Sequence, residues 1–225
     1  MDQEQVSYPV AEVFESIQGE GYHAGRPMTF IRLAGCSVGK PYTKEARQQL
    51  ALPIYQERCT DWQGNSFICD TDFRMKFRAT VNDLVTLPEV ESALRVCLTG
   101  GEPLMHDIWP LIKALDTAGK KIHVETSGTC QFPYKAGLWM AVSPKEHVLT
   151  ISLDLADEIK ILVGPEFDEE RFVSRFQRYF PKVWLQPING EHELNEENVR
   201  HTVALVQKYK LCRMSTQLHK VWRVR

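Results

Sequence analysis

Arg95-Val96-Cys97-Leu98-Thr99-Gly100-Gly101-Glu102-Pro103 is the stretch that decides the fold. Residues 95–99 read as a buried strand. Two adjacent glycines leave it, an acid follows, and Pro103 stops any continuation. Glycine lets a backbone approach a ligand with no Cβ in the way. A Gly-Gly pair at the C-terminal edge of a strand can therefore lay main-chain N–H and C=O groups against a flat, charged cofactor. Taken alone, two glycines are more often a tight turn, so the pair has to be read with its surroundings.

Outward from that strand, apolar runs recur at 29–34, 121–125, 138–142, 158–163 and 183–186, with 212–217 as a last strand. Helical patterns fit 43–52, 80–94 with a break at Pro88, 105–118, 168–179 and 195–209. Strands spaced by helices argue for parallel βαβ units. About six parallel strands, rather than eight, predict an α/β fold built as a partial, TIM-like β/α barrel. Thr99-Gly100-Gly101-Glu102, Thr126-Ser127-Gly128, Ser143-Pro144-Lys145 and Gln186-Pro187 each follow a strand. In a barrel-like sheet these clusters ring one mouth, although loops are polar anyway. The rhythm breaks between residues 39 and 69, where 61–66 looks like a hairpin turn between Cys59 and Cys69 and the segment reads as an insertion.

The chain has 225 residues, 43% hydrophobic and 25% charged, with a net charge of −2. That length suits one domain over 1–225, and the charge balance offers no surface for a nucleic acid or an anionic membrane. No stretch approaches the ~18 apolar residues of a membrane span. The start, Met1-Asp2-Gln3-Glu4-Gln5, lacks the basic flank and apolar core of a signal peptide. The expected location is the cytoplasm.

Six cysteines are present. Cys97 and Cys212 sit in apolar runs and read as core, and Cys130 is ambiguous. Cys36, Cys59 and Cys69 each abut turn or polar residues, with twenty-two and nine residues between them. Three thiolates suit an iron–sulfur cluster with one open iron, and equally a zinc site completed by His or water.

Further runs are spread in order along the chain: Phe14-Glu15-Ser16-Ile17-Gln18-Gly19-Glu20-Gly21, Phe30-Ile31-Arg32-Leu33-Ala34-Gly35-Cys36, Cys69-Asp70-Thr71-Asp72, Glu125-Thr126-Ser127-Gly128-Thr129, Asp157-Glu158-Ile159-Lys160 and Ser215-Thr216-Gln217-Leu218-His219-Lys220. With Leu98 to Leu104, Ser143-Pro144-Lys145 and Leu185-Gln186-Pro187, they resemble the motifs of the 7-carboxy-7-deazaguanine synthase family. These are radical S-adenosylmethionine (SAM) enzymes of the queuosine and 7-deazapurine pathway. The resemblance implies a [4Fe–4S] cluster on Cys36, Cys59 and Cys69, with SAM chelating the open iron. The compact three-cysteine spacing of most radical SAM enzymes is absent. Members of the family can carry an insertion in the cluster loop, and 39–68 is read as one.

By the same resemblance, SAM is held by Gly101, Glu102, Ser127, Ser143, Pro144, Lys145, Gln186, Pro187, Ile188 and Asn189. The substrate, 6-carboxy-5,6,7,8-tetrahydropterin, falls to Ile17, Gln18, Gly19, Arg32, Thr99 and the terminal carboxylate of Arg225. Arg32 offers a bidentate fork for a carboxylate; without the motif, a surface arginine is an equal reading. Thr71 is the Mg²⁺ ligand, flanked by Asp70 and Asp72. His219 lies near the mouth with no assigned role. No side chain is assigned as catalytic, because the radical is generated on the cofactor. The implied reaction is a ring contraction with loss of ammonia. An external electron donor such as flavodoxin or ferredoxin and a homodimer complete the expectation. The competing readings are an activating enzyme for a glycyl-radical protein and a non-enzymatic zinc or iron–sulfur scaffold.

Overall fold

A computed structural model describes residues 6–41, 43–50, 53, 56–132, 137–190 and 193–224. Arg225 lies outside these residues, as does part of the helix expected over 43–52. The strands are β1 (Ser7–Ile17), β2 (Pro27–Leu33), β3 (Glu57–Thr60), β4 (Ser66–Cys69), β5 (Phe77–Thr80), β6 (Arg95–Gly100), β7 (Lys121–Thr126), β8 (Leu138–Val142), β9 (Glu158–Val163), β10 (Val183–Pro187) and β11 (Arg213–Met214). Nine of them form one sheet in the order β11-β10-β9-β8-β7-β6-β2-β1-β5, while β3 and β4 pair separately as a hairpin.

Every neighbouring pair from β2 to β11 is parallel. β1 runs antiparallel to both β2 and β5. The parallel strands are near-continuous apolar runs, as a sheet covered on both faces requires; Val96, Cys97 and Leu98 of β6 have no exposed surface. The edges β5 and β11 do not pair with each other among the described residues.

Helices cover the sheet through narrow apolar stripes. Trp109–Thr117 buries Leu111, Ile112 and Leu115, and Glu169–Phe176 buries Phe172 and Phe176. The second is started by Asp168, whose side chain accepts from the Arg171 N–H. The break expected at Pro88 is real: Val81–Val85 ends, and Pro88–Glu91 begins a new short helix with Pro at its start. Among the described residues no helix is long and apolar enough to cross a membrane.

Several elements differ from the sequence reading, the helix Thr150–Leu155 among them. β1 is eleven residues long and was not anticipated, because a bulge between Val10 and Glu12 breaks its two-residue alternation. The short edge strand β5 was missed as well. The strand expected over 212–217 shrinks to two residues, after which Leu218–Trp222 turns helical and folds back toward the sheet.

Candidate active site

Parallel strands bring their C-terminal ends to one edge, and here those ends open onto a cleft of about 290 Å³. The strand ends of β6, β7, β8 and β10 deliver Thr99, Gly100 and Gly101, Ser127, Ser143 and Lys145, and Gln186 to its lining. The anticipated ring of polar clusters is therefore a physical rim.

Gly101 is needed for close approach. A Cβ there would lie 2.1 Å from the Gly35 carbonyl oxygen and 2.7 Å from the Cys36 Cβ. The Glu102 N–H donates to that same Gly35 oxygen at 3.0 Å, tying the end of β6 to the loop that bears Cys36. The Glu102 side chain has no exposed surface. It accepts from Leu104 N–H at 3.0 Å, Thr126 Oγ1 at 2.8 Å, Ser127 N–H at 2.7 Å and the Ser127 hydroxyl. With four donors on it, this carboxylate braces β6 against β7 and does not line the cleft.

Cys36, Cys59 and Cys69 all face the cleft, together with Lys145. They arrive by different routes: the loop after β2, strand β3 and the end of β4. All three are free thiols. Burial pushes each of them up, Cys59 to about 11. No three His, Cys, Asp or Glu side chains among the described residues converge on a single ion position. A four-iron cube does not ask for that, since each thiolate binds a different iron. Three free thiols, Cys59 buried and Cys36 and Cys69 half-buried, beside a glycine edge with no room for a Cβ, form a donor set that fits such a cluster.

Next to the thiols runs a belt of charge. Lys160 is buried and pairs with Glu20 at 2.6 Å and Glu125 at 3.0 Å. Gln186 donates to Glu20 at 3.0 Å, and Gln18 donates to Glu125 at 3.1 Å. Thr99 closes the line on the other Glu125 oxygen at 3.4 Å. Burial alone would push Glu20 up, but the charge and hydrogen bond of Lys160 hold it down at about 2. Burial disfavours the Lys160 ammonium, yet the surrounding carboxylates keep it well above the usual lysine range. Glu158, beneath them, is pushed up to about 7 by burial. The side-chain oxygen of Gln186, a residue of the cleft lining, is buried without a partner among the described residues.

Arg32 is held by Glu12 at 2.8 Å and donates to the Gly100 oxygen at 3.3 Å. It stands in the lining with Ile17, Gln18, Gly19 and Thr71. Asp70 pairs with Lys220 at 2.5 Å and Asp72 with Arg74 at 2.8 Å, so both aspartates flanking Thr71 have cationic partners. His219 packs on Gly19, where a Cβ would meet its Nδ1 at 2.2 Å.

Among the expected site residues, Glu102, Pro144, Pro187, Ile188 and Asn189 are not in the lining. Glu20, Glu125 and Lys160 are in it and were not assigned a role from the sequence. The available signal was three charges placed on or beside strands otherwise apolar enough for a buried sheet.

The chain matches no protein-family model. It is 33% identical to the 7-carboxy-7-deazaguanine synthase of Synechocystis sp. over 98% of its length and 95% of that protein's. It is 31% identical to the synthase of the same name from Escherichia coli K12, over 96% of the chain and 98% of that protein. The crystal structure of QueE from Escherichia coli superposes with a TM-score of 0.72 at 28% identity, covering 96% of each chain.

Proposed function

The chain belongs to the 7-carboxy-7-deazaguanine synthase family, and from that premise we propose that this carbon–nitrogen lyase contracts 6-carboxy-5,6,7,8-tetrahydropterin to 7-carboxy-7-deazaguanine. The reaction is Mg²⁺-dependent, releases ammonia and serves queuosine and 7-deazapurine synthesis. One observation carries the reading: three thiols from three separate segments share a cleft with a Glu–Lys–Glu belt centred on the buried Lys160 and with a glycine edge.

Cys36, Cys59 and Cys69 would hold a [4Fe–4S] cluster. Cluster and SAM together supply one-electron reductive cleavage of a sulfonium, and hence hydrogen abstraction from the substrate. The chain's own groups bind, orient and exclude water. Gly101 offers main chain to SAM, while Ser127, Ser143, Lys145 and Gln186 offer polar contacts along the rim. Pro144, Pro187, Ile188 and Asn189, next to them in the chain, complete the proposed SAM-binding segments. Glu102 serves by fixing the two strand ends.

A pterin presents a flat edge of alternating donors and acceptors. Gln18, Thr99 and the main chain at Ile17 and Gly19 match it in kind, and Glu125 adds an anionic acceptor. Arg32 takes the substrate carboxylate as a fork. Thr71 takes Mg²⁺, a hard ion that prefers oxygen, because its neighbouring aspartates already have cationic partners. We assign one domain over 1–225 curled as a partial barrel, an insertion at 39–68, a homodimer in the cytoplasm, and an external carrier such as flavodoxin or ferredoxin as the electron source.

The test is anaerobic reconstitution with iron and sulfide, then incubation with SAM, Mg²⁺, dithionite and the carboxypterin. Mass spectrometry should find 7-carboxy-7-deazaguanine and ammonia in equal amounts. A loaded protein that cleaves SAM but leaves the pterin intact would overturn the substrate assignment.

A further inference from the structure

The hairpin of β3 and β4 poses a mechanical problem. Its strands have four residues each, and it is not part of the main sheet. A two-stranded hairpin of that size is marginal by itself. Yet its inward row carries the middle thiol: Cys59 stands opposite Phe67, and Cys69 opposite Glu57. At its base the only described pairing beyond the hairpin itself is the bridge between Lys40 and Arg58.

Its tip is different. Trp62, three residues after Cys59, is 2% exposed and is the one residue of 57–69 that joins the main hydrophobic core among the described residues. Its ring meets Phe176 edge-on, with centroids 5.1 Å apart, and Phe167 at 6.3 Å; the Arg171 guanidinium lies 5.7 Å from it. Asp61 shapes the turn by accepting from Gln63 N–H at 2.8 Å and Asn65 N–H at 2.9 Å. Gln63 then accepts from the Asp168 N–H at 2.7 Å and, with Asn65, donates to the Glu166 carbonyl. The tip is thereby keyed into the connection that follows β9. The indole N–H itself is buried without a partner among the described residues, so the ring is held there by its aromatic contacts and the Arg171 guanidinium rather than by a hydrogen bond.

We propose that Trp62 is a positioning residue for the metal cluster: seated between Phe167 and Phe176, it holds the inserted hairpin so that Cys59 reaches the cleft. The inference rests on Cys59 being a cluster ligand. Outer groups that orient a ligand change metal retention without touching the metal.

Iron release from the reconstituted protein to a chelator, followed by the fading cluster absorbance, reads this directly. Trp62→Ala should lose iron roughly tenfold faster, as Cys59→Ala does, and the double variant should lose it no faster than Cys59→Ala alone. Trp62→Phe, which keeps an aromatic ring and removes the orphan donor, should retain iron as the unmodified chain does. Wild-type release from a folded Trp62→Ala, even with a lowered melting temperature of the apoprotein, makes Trp62 a plain core residue and overturns the proposal. Wild-type release from Cys59→Ala instead overturns the ligand assignment. If Trp62→Ala does not fold, the surface pair Gln63→Ala with Asn65→Ala decides. Faster release at unchanged apoprotein melting supports the key, and unchanged release overturns it.

Discussion

Two single positions carry consequences that can be measured. At Gly101 any side chain collides with main chain, 2.1 Å from the Gly35 oxygen, and main chain cannot step aside. The loop bearing Cys36 would have to move. Gly101→Ala should cost about 1–3 kcal/mol in stability, the usual range for overpacking, and should leave the protein with a small fraction of its reconstituted iron. Iron analysis and thermal melting together check this. Glu158 is the second. Its carboxyl is buried, accepts from the Tyr22 N–H at 2.7 Å and is pushed up to about 7. Between its ordinary value near 4.5 and about 7, the folded state binds a proton that the unfolded state has released. Its contribution is fully present below the lower value and is lost as pH rises through the upper one. The loss is on the order of 3 kcal/mol. His123 works in the opposite sense below neutrality, since burial and the neighbouring His23 hold it neutral down to about 4. The difference between wild type and Glu158→Gln isolates the acid. Wild type should lose melting temperature relative to the variant as pH goes from about 5 to about 8, and a constant offset would show that Glu158 does not titrate there.

At the scale of elements, the strands read most easily were those packed on both faces. β6 and β9 are continuous apolar runs, and such runs carry their own signal. β1 was lost to a bulge, and Leu218–Trp222 to its composition, for a five-residue helix with no buried residue leaves no stripe to recognise. That helix nevertheless shapes the mouth. The Leu218 N–H donates to the Gly19 oxygen at 3.0 Å, His219 packs on Gly19, and Lys220 reaches Asp70 beside Cys69. It therefore joins Gly19 on one side of the cleft to Asp70, beside Cys69, on the other. The Lys220 side chain is 15% exposed and that of Asp70 44%, so the pair is half in water. Lys220→Ala should cost no more than about 1 kcal/mol in stability. Its larger effect should fall on the substrate: with His219 released from Gly19, the carboxypterin should bind roughly five- to tenfold more weakly, which is the 1–1.4 kcal/mol of one good hydrogen bond. Calorimetry on the reconstituted protein measures it, and unchanged affinity would separate the helix from the substrate site.

For the molecule as a whole, the lining of the cleft was legible where it is made of short local runs, the glycine edge and the three thiols, and illegible where its parts meet only through the fold. Glu20, Glu125 and Lys160 stand 105 and 35 residues apart in sequence, and nothing local says that they share a hydrogen-bonded line. The cleft is likewise assembled from the loop after β2, the β3–β4 hairpin, several strands of the main sheet and the helix Leu218–Trp222. Elements so distant in sequence come together only in the folded state, so a ligand that bridges them binds the folded chain and not the unfolded one. Saturating such a site at a hundred times its dissociation constant adds about 2.7 kcal/mol. For a chain of this length each kcal/mol raises the melting temperature by roughly 2–4 °C. SAM added to the anaerobically reconstituted protein should therefore raise melting by about 5–10 °C. On the proposed ligand assignment the same addition to Cys59→Ala should do far less, because the cluster would lose one of its three thiols and SAM the iron that would anchor it. Equal shifts in the two proteins would mean that SAM is held by the strand ends alone, and the cluster would have to be placed elsewhere.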